Sequence, residues 1–273
     1  MGERPREAPL GRRVSGSSRY DPALLFPIRR DDGRARLGLQ APLPFGGEDL
    51  WHGYELSWLA EDGRPQAALG LFRVPASSPC MVESKSLKLY LNALNGSRFP
   101  SWRAVSAVIA ADLTAAAGEA VAVSLHALDD PLFHGRSAPG ECIDDAPFRE
   151  LPAAADRSLL RGAADRVVEE TLHSHLLRSL CPVTAQPDWA TLVVAYRGPQ
   201  LARDGLLRYV AGFRNHQDFH EQCVERIFRD LSAAASPSWL SVQALYTRRG
   251  GISISPWRGR GCAAPPPYRL HRQ

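Results

Sequence analysis

Hydrophobic and polar positions predict a β-hairpin near the start of the folded chain. Residues 51–59 alternate in part between large apolar and polar side chains, and a second apolar stretch covers residues 66–74. The polar turn Glu61-Asp62-Gly63 separates the two stretches. Alternation on either side of a glycine-bearing turn is typical of paired antiparallel strands.

Helical spacing follows this hairpin. Leu87, Leu91 and Leu94 recur on one face of a helix predicted over residues 83–95. The stretch 101–117, rich in Ala, Val and Ile, predicts a second helix, and a strand is predicted over 120–128.

The later part of the chain predicts a similar series. Its predicted elements are a strand over 167–180, a hairpin in which residues 189–197 pair with residues 205–213, a helix over 220–235, and strands over 241–247 and 252–255. Trp51 to Glu83 and Trp189 to Glu221 each span 32 positions, so we align the halves with an offset of 138. The predicted organisation is a loose basic arm (1–36), a first module (37–135), a connecting segment (136–166) and a second module (167–273).

Charge is concentrated at the start of the chain. The net charge is +4, and residues 1–36 hold nine Arg against five acids, which leaves 24 basic and 24 acidic groups in the remainder. A neutral body lacks the basic face of a nucleic-acid-binding domain, so we predict no direct nucleic-acid contact. No apolar run predicts a membrane span, and the Arg-rich start lacks the apolar segment of a secretion signal, so we expect a cytoplasmic protein.

A candidate nucleophile and proton donor lie close together in sequence. The segment from Cys181 to Asp188 places a thiol seven residues ahead of a carboxylate, with Pro182 and Pro187 restricting the backbone between them. A thiolate attacks an unsaturated carbon when a proton donor is nearby. The same residues are also explained without catalysis, as a small buried Cys and an Asp in a turn.

No metal site is predicted. The five cysteines have irregular spacing and form no CxxC pair. His216 and His220 precede Glu221 in the order HxxxHE, which is not the HExxH arrangement of zinc proteases. His220 remains a candidate proton shuttle or ligand contact, or a surface histidine without a function.

Two glutamates stand at the starts of predicted helices. Glu83 and Glu221 either stabilise those helix ends or accept paired hydrogen bonds from a guanine-like ring. The chain's two lysines, Lys85 and Lys88, follow Glu83, which indicates a place for a compact ammonium or else a solvated helix face. The turn Arg248-Arg249-Gly250-Gly251 either contacts phosphates or closes a hairpin.

Separated motifs carry a resemblance to a known family. The run from Glu83 to Asn92 and the run from Cys181 to Trp189 resemble the 7-cyano-7-deazaguanine reductases, the nitrile reductases of the queuosine pathway. The resemblance extends to residues 213–216, 219–226 and 246–251. Leu87 and Arg29 stand where family members usually have Phe and Pro.

The resemblance implies an α+β fold of two tandem tunnelling-fold modules, with antiparallel sheets and helices packed on one side. It implies reduction of a nitrile to a primary amine with two NADPH. Cys181 would attack the nitrile carbon to form a covalent thioimide, and Asp188 would donate the proton. By the same resemblance, the deazaguanine would contact Val82, Glu83, Ser84, His220 and Glu221, and NADPH would contact Ser84, Lys85, Arg249 and Gly250.

Two other functions are compatible with these residues. A thiol-dependent nitrile hydrolase would use the same Cys and need no NADPH. A non-catalytic purine- or pterin-binding module would need neither. Unpaired strand edges in such modules also predict a homodimer.

Overall fold

The computed structural model describes residues 19–273, except for the side chains of residues 164 and 165. These residues form two compact units. Unit 1 comprises the described residues up to Gln40, Glu48–Phe133 and Arg248–Ile254, and unit 2 comprises Ala41–Gly47, His134–Thr247 and Ser255–Gln273. The segment 136–166, which the sequence suggested as a connection, therefore belongs to unit 2, and each unit is assembled from non-consecutive parts of the chain.

Unit 1 contains the first predicted hairpin and both predicted helices. Its elements in chain order are β1 (Pro27–Arg29), α1 (Arg30–Arg36), β2 (Gly46–Leu59), β3 (Pro65–Pro75), β4 (Cys80–Val82), α2 (Ser84–Ala93), α3 (Trp102–Ala117) and β5 (Ala122–His126). Strands β2 and β3 pair antiparallel with Trp51 opposite Phe72, and β5 pairs with β3. The alternation of apolar residues thus predicted this hairpin correctly.

Helices α2 and α3 share one apolar core with the sheet of unit 1. Tyr90 from α2 and Ile109 from α3 pack with Trp51 and Phe72, and all four are at most 2% exposed. The start of α3 is fixed because Ser101 Oγ accepts the Ala104 N–H at 3.2 Å. Burial of these large apolar side chains provides most of the stabilising free energy of the unit.

The predicted loose arm is partly a folded element. Residues 1–18 lie outside the described part of the chain, whereas Arg30–Arg36 form α1. Arg30 makes a buried ion pair with Asp49, with Nη2 2.6 Å from Oδ2, and Arg34 Nη2 donates to the Ala76 carbonyl at 2.6 Å. These arginines serve the fold of unit 1, because a guanidinium satisfies several buried acceptors at once.

Unit 2 contains five strands of one sheet and two helices. Its elements in chain order are β6 (Gly135–Arg136), β7 (Glu141–Cys142), β8 (Gly162–Leu180), β9 (Pro187–Leu201), α4 (Arg203–Ala211), α5 (His220–Ala235), β10 (Trp239–Tyr246), β11 (Ile252–Arg260) and β12 (Arg269–Leu270). Residues 252–254 of β11 belong to unit 1, and Gly46 and Gly47 of β2 belong to unit 2. The sheet order is β11-β10-β9-β8-β7, in which only β7 runs parallel to its neighbour, β8.

The predicted pairing of residues 189–197 with 205–213 is wrong. Strand β9 pairs with β8 and β10, and residues 205–213 lie in α4 and the following 3₁₀ turn (Gly212–Asn215). Short apolar runs such as Leu206-Leu207 and Tyr209-Val210 fit either a buried strand or a buried helix, so periodicity did not distinguish them. The helix predicted over 220–235 is confirmed as α5.

The order of elements repeats, but in a different register from the one predicted. Each unit has a hairpin, then a first and a second helix, and then a further strand, and α1 precedes this series in unit 1. Helices α3 and α5 both contain 16 residues and begin at residues 102 and 220, 118 positions apart rather than 138. Glu83 therefore does not correspond to Glu221, because Glu83 precedes the first helix of its unit and Glu221 lies in the second helix of the other.

A tyrosine–aspartate pair supports the corrected register. Tyr90 Oη donates to Asp112 Oδ2 at 2.6 Å in unit 1, and Tyr209 Oη donates to Asp230 Oδ2 at 2.8 Å in unit 2. In both units the bond joins the first helix to the second. The two units therefore use the same polar link inside otherwise apolar helix packing.

The C-terminal tail packs into unit 2. Tyr268 and Leu270 are buried beside Val193 and Leu245. The Gln273 side-chain amide donates to the Tyr246 carbonyl at 3.2 Å and to Ser255 Oγ at 3.0 Å. Among the described residues, no helix is both long and apolar enough to cross a membrane.

Candidate active site

The Cys181 loop is the hairpin connection between β8 and β9. Leu180 and Pro187 are the last paired residues of the two strands. The Cys181 N–H donates to the Gln186 carbonyl at 2.9 Å, and the Ala185 N–H donates to the Cys181 carbonyl at 3.0 Å. These bonds fix the backbone at Cys181, which is 3% exposed, while residues 185–187 are exposed.

The segment before α5 holds the same loop from a second direction. The Leu180 N–H donates to the His216 carbonyl at 2.8 Å, and the Asp218 N–H donates to the Leu180 carbonyl at 3.2 Å. Gln217 Nε2 also donates to the Cys181 carbonyl at 3.3 Å. The start of α5 is therefore held beside the residue that carries the thiol.

Asp188 and His220 form the closest contact between titratable side chains at this loop. His220 Nε2 lies 3.1 Å from Asp188 Oδ2, and the two side chains are 16% and 8% exposed. The His220 ring stacks on Tyr246 with 3.7 Å between ring centroids and 9° between planes. His220 Nδ1 is buried and has no hydrogen-bond partner among the described residues, so its hydrogen-bonding capacity is unused in this structure.

Helix α5 presents His220 and Glu221 from its first turn. Glu221 is 4% exposed. Further along the helix, Glu225 Oε1 accepts hydrogen bonds from Arg258 Nε at 3.1 Å and Nη2 at 2.9 Å, and both side chains are buried. This ion pair ties α5 to β11, so the orientation of its first turn is fixed by contacts inside unit 2.

Cys223 is the other buried thiol of this region. Burial raises the pKa of the Cys223 thiol well above its ordinary value, and the negative charge of Asp218 adds to the effect. A thiol that stays protonated is a poor nucleophile. Cys223 therefore serves packing, which leaves Cys181 as the candidate nucleophile of this region.

In unit 1, Glu83 caps α2. Its Oε1 accepts the Lys85 N–H and its Oε2 accepts the Ser86 N–H, both at 2.8 Å, and the residue is 1% exposed. Val82 precedes it as the buried end of β4, and half-buried Ser84 begins the helix. The capping interpretation is confirmed, and the role of Glu83 in substrate binding stays a prediction.

The cationic turn of unit 1 lies against α2. Gly250 and Gly251 have positive φ values of 61° and 75°, which glycine adopts without strain. A Cβ at Gly250 would lie 3.1 Å from Lys88 Cδ and 3.4 Å from Lys88 Nζ. The structure thus brings a lysine of the α2 motif to the arginine- and glycine-bearing turn, although the sequence separates them widely.

Sequence reasoning missed two residues of the site. Tyr246, at the end of β10, supports the His220 ring, and Gln217 bonds to the Cys181 carbonyl. The local sequence around Tyr246 does not indicate that its ring stacks on His220. The two rings meet only because the pairing of β9 with β10 brings the end of β10 to α5. The Gln217 contact likewise depends on tertiary structure.

Two family models match this chain. The family model described as "Nitrile reductase, 7-cyano-7-deazaguanine-reductase N-term" matches residues 17–125, and that described as "QueF-like protein" matches residues 187–264. A solved structure of the archaeosine synthase QueF-Like in the apo form covers 36% of this chain at 21% identity and a TM-score of 0.31, which is too low to support an argument.

Relatives match along almost the whole chain. Proteins named NADPH-dependent 7-cyano-7-deazaguanine reductase are 52% identical over 268 residues in Chromohalobacter salexigens and 51% identical over 274 residues in Stenotrophomonas maltophilia. These alignments cover 97% and 98% of this chain, and 96% and 99% of the relatives. More than half of the aligned residues are identical, and the alignments leave no large part of the chain unmatched. The chain therefore belongs to the family of NADPH-dependent 7-cyano-7-deazaguanine reductases.

Proposed function

We propose that this protein reduces the nitrile of 7-cyano-7-deazaguanine to the aminomethyl group of 7-aminomethyl-7-deazaguanine with NADPH, in queuosine biosynthesis. Membership of the reductase family supports the reaction. The observation that carries the assignment to residues is the contact of Asp188 with His220 beside the Cys181 loop.

Cys181 and Asp188 act as nucleophile and proton donor in this proposal. The Cys181 thiolate adds to the nitrile carbon, and the protonated Asp188 carboxyl group gives its proton to the nitrile nitrogen and becomes a carboxylate, so that a neutral thioimide forms. A nitrile is a weak electrophile until its nitrogen gains a proton, which is why a donor is needed at the moment of attack. His220 holds the Asp188 carboxyl group in place through their 3.1 Å contact.

The residues of unit 1 fit a cofactor that carries phosphates. The turn that contains Arg248 and Arg249 lies beside Lys88, so cationic side chains are close together there. Glycines with positive φ in the same turn are typical of backbone conformations that bind phosphate. NADPH, when bound, supplies the two hydrides of the reduction. We propose Ser84, Lys85, Arg249 and Gly250 as the residues that hold it.

Binding of the deazaguanine ring is proposed for a separate set of side chains. A carboxylate accepts two hydrogen bonds from the neighbouring N–H and NH₂ groups of such a ring. Glu221 and His220, adjacent in the first turn of α5, supply a carboxylate and a free ring nitrogen. Val82, Glu83 and Ser84 complete the predicted set.

The fold proposed for each unit is a tunnelling-fold module. The same order of elements in both units, a hairpin followed by two helices and a further strand, supports this assignment. A homodimer and a cytoplasmic location stay predictions of the sequence.

Loss of the thiol tests the proposed reaction. We expect Cys181→Ala to stop oxidation of NADPH in the presence of 7-cyano-7-deazaguanine, while calorimetry still detects ligand binding. The matched control is Cys262→Ala, a half-buried thiol whose Sγ donates to the Leu240 carbonyl, and this variant should oxidise two NADPH per substrate as the parent does. Turnover that persists in Cys181→Ala would contradict the assignment.

The same assay separates the rival functions. A nitrile hydrolase would form a carboxylic acid from the nitrile without oxidising NADPH. A binding protein would bind the deazapurine and form no product. Mass spectrometry of protein incubated with substrate and no NADPH adds a direct test, because the thioimide would appear as an adduct with the full mass of the substrate.

A further inference from the structure

Three side chains with metal-binding atoms meet on the sheet of unit 2. One ligand atom each from Cys142, His173 and His175 lies within 4.8 Å of the other two. Cys142 is exposed, His173 is buried and His175 is half-buried. None of the three belongs to the proposed catalytic set, and no sequence motif linked them, because Cys142 lies in a different strand from the two histidines.

Strand pairing explains why these side chains meet. Strand β7 pairs parallel with β8, and Cys142 stands opposite His173. His173 and His175 are two positions apart in β8, and their rings lie edge to face with 5.0 Å between centroids. The pairing is held by the Ile143 N–H, which donates to the His173 carbonyl at 2.9 Å.

Hydrogen bonds at Nδ1 leave Nε2 of each histidine available. His173 Nδ1 lies 2.9 Å from the Pro139 carbonyl, which can only accept, so Nδ1 carries the proton and Nε2 of the neutral ring keeps its lone pair. His175 Nδ1 lies 2.9 Å from Thr191 Oγ1, which can accept in the same way. Metal-bound histidines almost always have such a partner on the second nitrogen.

The ligands stand on a backbone that is already fixed. Asp144 Oδ1 accepts a hydrogen bond from the Ser174 hydroxyl group at 2.6 Å, and Asp144 Oδ2 accepts one from the His175 N–H at 3.0 Å. Gly140, with a φ of 79°, permits close approach of the two strands, because a Cβ there would lie 2.1 Å from the Thr171 carbonyl oxygen. A site on paired strands keeps its ligands in place better than a site on loops.

We propose that Cys142, His173 and His175 bind a zinc ion. One sulfur and two imidazole nitrogens suit zinc, whereas magnesium and calcium take oxygen ligands. Tetrahedral zinc separates such ligands by about 3.3–3.8 Å, so binding draws together three atoms that already lie within 4.8 Å of one another. Binding replaces the Cys142 thiol proton with the metal, and that proton leaves to solvent. Water completes the fourth position.

Cobalt provides the readout, because a cobalt–thiolate bond absorbs light strongly. Protein stripped of metal with a chelator is titrated with Co²⁺, and the bound Co²⁺ is then displaced by Zn²⁺. We expect one Co²⁺ per chain with thiolate-to-cobalt absorption, which Cys142→Ser removes. His175→Gln should weaken Zn²⁺ binding at least about tenfold, since loss of even an outer hydrogen-bond partner commonly costs 10–100-fold.

Matched variants separate this site from other thiols and histidines. Cys262→Ser and the exposed His134→Gln should bind Co²⁺ as the parent does, and Cys181→Ala should keep the absorption, which excludes the catalytic thiol as the ligand. Zn²⁺ should also raise the melting temperature of the parent and not that of Cys142→Ser. Absence of thiolate-to-cobalt absorption in the parent, or its persistence in Cys142→Ser, would overturn the proposal.

Discussion

At the residue scale, the proposed site depends on the contact between two largely buried titratable side chains, those of Asp188 and His220. Asp188 and His220 are 3.1 Å apart, and water reaches neither freely. This contact holds the Asp188 carboxyl group in one position, so the proton that Asp188 is proposed to donate is delivered from a fixed place. The stacked Tyr246 ring prevents His220 from turning away.

Asp188→Asn should therefore reduce turnover far more than it reduces substrate binding. Asparagine keeps the size of the side chain but cannot deliver an acidic proton. We expect kcat to fall by about 10²–10⁴, the usual contribution of a positioned acid or base, while the dissociation constant of the deazapurine changes little. Stopped-flow measurement of NADPH oxidation and calorimetry give the two quantities.

Unit 1 contains a matched control for this substitution. His126 Nδ1 lies 2.9 Å from Asp130 Oδ2, so Asp130→Asn alters an aspartate–histidine contact that has no proposed catalytic role. This variant should retain parental turnover. Equal loss of activity in the two variants would indicate a general structural effect and would count against Asp188 as the proton donor.

Some of the site was predictable from neighbouring residues and some was not. The spacing of Cys181 and Asp188 defined the loop because both residues flank one hairpin turn. The contact of Asp188 with His220 joins β9 to α5, and local sequence holds no information about such a distant pairing. Glu83 illustrates the opposite case, since capping by a residue at a helix start is a local property.

At the scale of elements, each pair of helices is joined by a buried tyrosine–aspartate bond. Burial raises the pKa values of Tyr90 and Tyr209 well above the usual value, and the nearby carboxylates contribute in the same direction. Both phenols therefore remain hydrogen-bond donors throughout the neutral range. This recurring contact defines the register of the repeat better than the Trp and Glu spacings that suggested 138 positions.

Tyr209→Phe should destabilise the protein by about 1–3 kcal/mol, because the Asp230 carboxylate loses a buried donor. Chemical denaturation measures this difference in the free energy of unfolding. Tyr20→Phe is the control, since Tyr20 Oη also donates to an aspartate, Asp112, at 2.8 Å but its residue is 38% exposed. We expect a change within about 0.5 kcal/mol there. Equal effects would contradict the importance of burial.

Helix α5 depends on its ion pair with β11. Glu225→Ala should cost about 3–5 kcal/mol of unfolding free energy, because Arg258 is fully buried and would lose its partner. The exposed pair Arg29–Asp31, at 3.5 Å, provides the comparison, and Asp31→Ala should change stability by less than about 1 kcal/mol. Urea unfolding of both variants checks the ratio. A loss of unfolding free energy in Glu225→Ala as small as that in Asp31→Ala would show that the buried pair contributes little.

At the scale of the whole molecule, the division into units was the hardest feature to predict. Apolar periodicity identifies strands and helices, but it does not say that residues 248–254 group with unit 1 or that 41–47 group with unit 2. Such groupings depend on tertiary contacts, such as those of the Phe45 ring with Phe228 and Arg258 of unit 2. The hairpin β2–β3 and helix α3 needed no such information, and the sequence predicted both.

Buried phenols in both units make stability depend on pH in alkaline solution. Burial is the largest cause that raises the pKa of each of these tyrosines, namely Tyr90, Tyr196, Tyr209, Tyr246 and Tyr268. The pKa of Tyr268 rises from 10.0 to about 12. Its folded state therefore holds the proton over a range in which the unfolded chain has released it.

The direction of the pH effect follows from this difference. Below pH 10 both states are protonated and the contribution of Tyr268 to stability is fully present, whereas between pH 10 and 12 ionisation of the unfolded phenol favours unfolding. We expect the urea midpoint to fall across this interval, and to fall less steeply in Tyr268→Phe. Loss of the hydrogen bond from Tyr268 Oη to Gln243 Oε1 changes the urea midpoint of this variant at every pH. The comparison therefore uses the slope of the midpoint against pH. Identical slopes in the two proteins would show that Tyr268 ionises equally in both states.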